Sequence, residues 1–216
     1  MIGERGGWPY SPPPNGEFVL NTASPQANGL VAWYPLGAGQ YRWRNALGRY
    51  HLSPSNGPTI RGSQRGLVTL FSDAQSQRLV ATGAVVTAPP FTICAWIYID
   101  DRAPNQGIAG VFDASDANYH YLMLYGNPYY SIDAVSLGTG GLGDAYTDTS
   151  VAVNTWSFAS GVWRAANNRQ AYLNVSGSHG PDTTNVVPEP PNRTIIGARS
   201  ATYYLSGMVA DVRFYN

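Results

Sequence analysis

Paired carboxylates cleave glycosidic bonds only when two acids face the same side at short separation, so the acids of this chain are the first place to look for chemistry. Glutamate occurs only at Glu4, Glu17 and Glu189, two in a proline-rich N-terminal segment and one flanked by prolines. Asp113 and Asp116 fall together in Phe112-Asp113-Ala114-Ser115-Asp116, a turn composition that reads as a solvated loop. The histidines His51, His120 and His179 are scattered, and none has the serine and carboxylate spacing of a nucleophilic triad. The expectation is a non-enzyme with no catalytic residue.

Other motifs lead to the same place. Cys94 is the single cysteine and sits in the apolar run 91–99, which excludes an internal disulfide and a cysteine metal cluster and marks it as a buried small hydrophobe. The glycine-dense stretch Ser136-Leu137-Gly138-Thr139-Gly140-Gly141-Leu142-Gly143-Asp144 lacks the Gly-Lys-Ser/Thr ending of a phosphate loop and reads as a mobile surface loop. Asp211 and Arg213, two apart on the last strand, could clamp a ligand or pair with cross-strand charges, and the structural pairing is the expectation. The aromatic residues Tyr119, Tyr121, Tyr125, Tyr129 and Tyr130, with Trp163, are the candidate ligand- or partner-binding platform, because aromatic faces stack on sugar rings and also serve protein contacts.

The elements that must position these residues are strands. The chain has 24 Gly and 16 Pro, many turns, together with 15 Tyr and 6 Trp, which favour strands. Short apolar runs at 30–36, 67–71, 78–81, 91–99, 107–112, 119–125, 129–135, 155–163, 169–175, 194–196 and 205–215 alternate with turn signals, predicting eleven or twelve strands and no helix. In the last run Met208, Ala210, Val212 and Phe214 are expected on one face, with Asp211, Arg213 and Tyr215 on the other. In 119–125 the tyrosines fall opposite Leu122 and Leu124, which share their face with His120. All 216 residues fit one sandwich domain plus an arm.

That arm is residues 1–28. It holds Trp8, Pro9, Tyr10, Pro12, Pro13, Pro14 and Phe18 among Gly, Asn and Ser, cannot build a core, and should run extended as an assembly element packed on its own sandwich or on a neighbouring chain. Charged residues are 12% of the chain, with 13 cations, all arginine, against 13 acids, so binding to nucleic acid or an anionic membrane is not expected. Neither a signal peptide nor a transmembrane run is legible, which predicts residence in a cytoplasm.

Four segments resemble the laminin-G-like branch of the concanavalin A-like superfamily. They are Gly29-Leu30-Val31-Ala32-Trp33-Tyr34-Pro35-Leu36 with its Asn-Ala-Leu-Gly turn at 45–48; Phe91-Thr92-Ile93-Cys94-Ala95-Trp96-Ile97-Tyr98; Trp156-Ser157-Phe158-Ala159-Ser160-Gly161-Val162 continuing to Ala171-Tyr172-Leu173-Asn174; and Ile195-Ile196-Gly197 with the closing run 205–216. The resemblance implies an all-β, two-sheet antiparallel jelly-roll sandwich over 29–216. Calcium at a sandwich rim is common in such relatives, which makes Asp73 and Asp144 the candidate ligands here. The closely spaced glutamates of its polysaccharide-cleaving members have no counterpart.

Fold alone does not give function. The first expectation is a virion structural protein of a tailed phage, a capsid cement or decoration protein assembled in the host cytoplasm, whose arm contacts copies of itself and the major capsid protein. The alternative is a carbohydrate-binding module or adhesin of the tail-fibre type, with glycans as ligand.

Overall fold

Period-two alternation builds two antiparallel sheets that close on one apolar interior. The structure is a computed structural model describing residues 21, 23–37, 42–102, 104–174, 176, 179–199 and 201–216. The proposed arm residues Trp8, Pro9, Tyr10, Pro12, Pro13, Pro14 and Phe18 lie outside them.

Fourteen strands are formed by the described residues, in chain order: β1 (Leu30–Tyr34), β2 (Ser53–Ser55), β3 (Thr59–Ser63), β4 (Gly66–Phe71), β5 (Arg78–Thr82), β6 (Phe91–Ile99), β7 (Gln106–Phe112), β8 (Tyr119–Tyr125), β9 (Ser131–Gly138), β10 (Gly141–Tyr146), β11 (Trp156–Ala165), β12 (Asn168–Leu173), β13 (Arg193–Ile196) and β14 (Gly207–Tyr215). Sheet A runs β12-β11-β6-β14-β4-β3, with β1 also paired to β14; sheet B runs β10-β9-β8-β7-β13-β5-β2. A 3-10 turn, Pro25–Ala27, precedes β1, capped by the Ser24 side chain. Among the described residues no helix is long and apolar enough to cross a membrane.

The count exceeds the expected eleven or twelve for identifiable reasons. β2 and β3 are short and polar (Ser-Pro-Ser and Thr-Ile-Arg-Gly-Ser), so they carry no apolar run, and Pro54 is tolerated because β2 is the edge of sheet B. The third missed strand corrects the reading of residues 136–144 as a mobile loop: they form a β9–β10 hairpin in which Gly138 pairs with Gly141. Gly140, at φ 98°, supplies the turn conformation that other residues adopt at a cost. Gly143 has a different role, since a Cβ there would overlap the guanidinium of buried Arg169.

The interior is filled by Ala32, Tyr34, Phe71, Ile93, Ile97, Ile108, Leu122, Leu124, Trp163, Val212 and Phe214, among others. Burial of each large apolar side chain contributes about 1.5–3 kcal/mol, so this cluster is the main favourable term in folding. β14 departs from the expected alternation. Met208 and Ala210 belong to a small cluster on the outer face, whereas Val209, Val212 and Phe214 face the interior. A bulge between Ala210 and Arg213, with Asp211 at φ 58°, inserts the residue that shifts the phase. Asp211 accepts from Arg213 Nη2 at 2.7 Å and also from Trp33 Nε1, so the two charges expected to find partners across strands pair with each other, and the Trp33 bond ties the bulge to β1.

Candidate functional site

β8 projects Tyr119, Tyr121, Met123 and Tyr125 to the outer face of sheet B, while His120, Leu122 and Leu124 point inward, as the alternation requires. The platform read from sequence therefore divides. Tyr119 and Tyr121 are on the outer face but buried, packed with Phe112, Met123, Val135, Ile195 and Ala198. Arg199, in the β13–β14 connection, lies over the Tyr119 ring at 4.9 Å and the Tyr203 ring at 5.0 Å, and Tyr204 packs against the same cluster. Gly107 on β7 admits that connection, since a Cβ there would stand 2.3 Å from the Ala198 carbonyl carbon.

Trp163 does not belong to a platform at all. It is enclosed between the sheets, stacked on Phe91 at 4.8 Å, and donates from Nε1 to Ser136 Oγ at 2.9 Å. An indole N–H only donates, so Ser136 accepts from it and is free to donate to His120 Nδ1, 2.7 Å away. Burial, then the nearby Arg169, push His120 down to about 3, so the ring is neutral. The pair has the atoms of a nucleophile and base, but Ser136 and His120 are sealed in the interior, and their work is to satisfy each other.

The remaining tyrosines gather at one end of sheet B. Tyr125 meets Tyr129 edge-on at 5.8 Å, and Tyr129 is 64% exposed, the most exposed large ring among the described residues. Tyr130 lies under the Arg102 guanidinium at 4.3 Å. Two strands further on, Tyr146 stacks on His179 at 5.5 Å, and His179 Nδ1 contacts Asp148 Oδ1 at 2.8 Å.

Between these rings stands a carboxylate pair that sequence reading missed. In the β9–β10 ladder Asp133 is opposite Tyr146 and Asp144 is opposite Val135, which places both acids diagonally adjacent on the outer face. Asp133 is 1% exposed and accepts from Ser131 Oγ at 2.5 Å; Asp144 is half-buried. Burial, then the Asp144 charge, raise the Asp133 carboxyl far above the carboxylate range. Asp144 is raised too, by burial and then by Asp182, with Arg169 opposing. Each carboxyl thus holds its proton more tightly than a free carboxylic acid, because burial and a neighbouring acid both disfavour the charged form. The spacing of Asp133 and Asp144 in sequence carries no motif; only the register of the hairpin brings them together.

Behind the hairpin, Arg169 is fully buried, ion-paired to Asp182, and donates from Nη2 to the carbonyls of Ala166 at 2.6 Å and Thr184 at 2.9 Å. Its bonds tie β12 to the 182–184 segment, and its guanidinium packs against Gly143 of the hairpin. A glycosidase of the retaining type needs both carboxyls turned toward substrate; here Asp133 is covered and committed to Asp144 and Ser131.

The calcium candidates are not brought together. Asp144 is on β10 at one edge of sheet B, whereas Asp73 is exposed in the β4–β5 turn, where Oδ1 accepts from Ala74 N at 2.7 Å. One ion cannot use both. Asp113 is a turn former as expected, accepting from Asn118 Nδ2 at 2.8 Å and Ser115 Oγ at 2.7 Å, while Asp116 pairs with Arg193 at 2.5 Å. Cys94 is buried, and desolvation pushes its thiol up to about 12, making it inert.

The outer face of sheet A carries a second aromatic set, one not singled out by any motif. Trp96 and Phe158 are cross-strand partners with centroids 5.3 Å apart, and Tyr98 and Trp156 are the next pair at 5.7 Å. All four are half-buried, and Arg65 lies over the Trp96 ring at 3.1 Å.

Comparison with known proteins agrees with this architecture. A family description, the concanavalin A-like lectin/glucanases superfamily (Laminin_G_3), matches residues 73–216. Among solved structures, domain 4 of an extracellular arabinanase from Geobacillus stearothermophilus, in complex with arabinotriose, superposes with TM-score 0.66 at 13% identity, covering 87% of this chain and 92% of that domain. The botulinum neurotoxin serotype D binding domain gives 0.62 at 10% identity, covering 87% of this chain and 48% of the other. Trypanosoma rangeli sialidase, in complex with the inhibitor DANA, gives 0.58 at 15% identity, with 86% and 30% covered. At these identities the likeness is one of fold. A search of curated protein sequences found no match.

Proposed function

The chain belongs to the concanavalin A-like lectin/glucanase superfamily, and from that premise we propose that it is a non-catalytic carbohydrate-binding domain whose site is the β8–β10 end of sheet B. One observation carries the reading: the Asp133–Asp144 pair stands on the outer face beside exposed Tyr146, which is opposite Asp133, while Tyr125, opposite Ser131 on the neighbouring strand, meets exposed Tyr129 at 5.8 Å. Aromatic faces take the apolar side of a sugar ring, and a carboxylate accepts from its hydroxyls. Asp144 is the contact group and Asp133 orients it. The arabinotriose complex of a domain with the same fold supports the ligand class.

The test is a glycan array followed by calorimetric titration of the best hit, with arabino-oligosaccharides and sialylated glycans included. Tyr129→Ala and Asp144→Asn should each weaken binding at least tenfold, with Trp156→Ala unchanged. No binding by the unaltered protein to any glycan overturns the reading.

A second reading, a capsid cement or decoration protein of a tailed phage, is favoured by the proline-rich segment 1–28, whose composition suits contact with copies of itself and a major capsid protein. Co-sedimentation with capsids, using the full chain and a chain shortened to 29–216, separates the two. Capsid binding that requires residues 1–28 supports the second reading.

A further inference from the structure

Away from Trp96 and Tyr98, the outer face of sheet A changes character at the Thr92 end of β6. The strand registers set two rows of outward side chains across β14, β6, β11 and β12: Tyr215, Thr92, Val162 and Gln170 in one, and Arg213, Cys94, Ser160 and Tyr172 in the next. In both rows the central residues, on β6 and β11, are small, and the flanking ones, on β14 and β12, are large. At a strand spacing of ~4.8 Å the flanking backbones stand about 14 Å apart, so this end of the face is a shallow trough with a floor two strands wide. Each wall carries a half-buried tyrosine, Tyr215 on one side and Tyr172 on the other.

Charge singles out one wall. Arg164, exposed near the end of β11, donates from Nη1 to Gln170 Oε1 at 2.5 Å, with Asn168 Oδ1 3.5 Å from Nη1 and Tyr172 Oη 3.4 Å from Nη2. Tyr172 donates to the same Gln170 oxygen at 2.8 Å. These acceptors are neutral, so they position the guanidinium without cancelling its charge. On the opposite wall Arg213 is paired with Asp211 at 2.7 Å. Among the described residues Arg164 has no carboxylate partner, so the trough carries one uncompensated positive charge.

Beside Arg164 the trough deepens into a cavity of about 120 Å³, lined by Thr92, Val162 and Tyr215 as well as by Arg164 itself. That is well below the ~300 Å³ of a pocket enclosing a whole small ligand, so it takes one group, and the rest of the ligand lies along the floor. A guanidinium selects an oxyanion for that group, because charge-assisted hydrogen bonds are roughly twice as strong as neutral ones. The hydroxyls of Thr92, Ser160, Tyr172 and Tyr215, beside two ring faces, suit the hydroxyls and apolar faces of sugar rings. We propose that this trough is a second binding site, one that takes an oligosaccharide bearing a carboxylate or sulfate group, with the oxyanion at Arg164. It is on the opposite sheet from the β8–β10 site and needs nothing from it.

The test is calorimetric titration of the full chain with a galacturonate hexamer, a heparin-derived hexasaccharide and neutral maltohexaose. At least one acidic probe should bind tenfold or more tightly than maltohexaose, and the tighter of the two identifies the oxyanion as carboxylate or sulfate. Arg164→Gln should weaken that binding at least tenfold. So should Thr92→Trp, which fills the floor and leaves the guanidinium in place, with an unchanged melting temperature as the check on its fold. Arg61→Gln removes the same charge from the exposed β3 edge and should leave binding unchanged. No binding of either acidic probe, equal binding of maltohexaose, or equal losses in Arg164→Gln and Arg61→Gln overturn the proposal. So does binding that survives Arg164→Gln and is lost in Tyr129→Ala, which places the probe on sheet B.

Discussion

The two outer faces of the sandwich are both aromatic, but they differ in what lies beside the rings. On sheet A, Trp96, Tyr98, Trp156 and Phe158 form a half-buried strip under Arg65. On sheet B, Tyr119 and Tyr121 are covered by Arg199 and Tyr204, and the exposed rings are displaced to the β8–β10 end, toward two acids whose carboxyls are both raised. Aromatic content alone therefore does not define a site. A ring with a carboxylate beside it suits a polyhydroxyl ligand, whereas a ring under a guanidinium already has its partner.

The largest effect tests whether Trp163 belongs to either face. Trp163→Ala should cost about 3–5 kcal/mol in urea unfolding, the expected loss for an enclosed indole. A near-neutral result would return Trp163 to the surface and break the division. Next, Gly107→Ala pushes a methyl into the Ala198–Arg199 backbone and should cost about 1–3 kcal/mol. It should also raise the reactivity of Tyr119 and Tyr121 toward N-acetylimidazole, and unchanged reactivity would mean that the 198–204 connection is not their cover.

The carboxylate pair gives a pH signature. Asp133 is raised in the folded state, so between the unfolded carboxylate range near pH 4 and its raised value the folded protein holds a proton that the unfolded chain releases. Stability from this group is present at low pH and lost as pH rises. Asp133→Asn should remove that loss, so the difference in unfolding free energy between variant and unaltered protein should grow in the variant's favour by on the order of 1 kcal/mol from pH 5 to pH 8. A difference constant with pH would mean that the Asp133 carboxyl is not raised in the folded protein. Smallest is Tyr146→Ala, which removes the stacked contact with exposed His179 and should cost under about 1 kcal/mol in stability. Its readout is in glycan binding, where at least a tenfold loss is expected; full retention would shift the site away from β10.

Much of this was legible. The run 91–99 became β6 and 119–125 became β8 without change of boundary, because strong β-formers between clear turn signals leave no competing structure. β10 was not legible, because Gly141, Gly143 and Asp144 are poor strand formers; pairing to β9 overrides their preference. The phase of β14 was lost at Asp211, since period-two counting has no means of seeing an inserted residue. Of the candidate site, Tyr125 and Tyr129 were named for stacking and Asp144 for calcium, whereas Asp133 was overlooked.

By itself the sequence determined the all-β class, the two-sheet sandwich, the single inert cysteine and the direction in which each residue of β8 points. The class and the β8 directions follow from side-chain alternation and turn chemistry, which are local, whereas the two-sheet arrangement was implied by the resemblance of four segments to a known superfamily. Only the tertiary structure decided which rings are covered, that Asp133 meets Asp144, that Ser136 and His120 are sealed together, and that Asp73 and Asp144 stand apart. Those facts depend on strand register and on which loop crosses which face, and both are set by contacts between segments far apart in the chain.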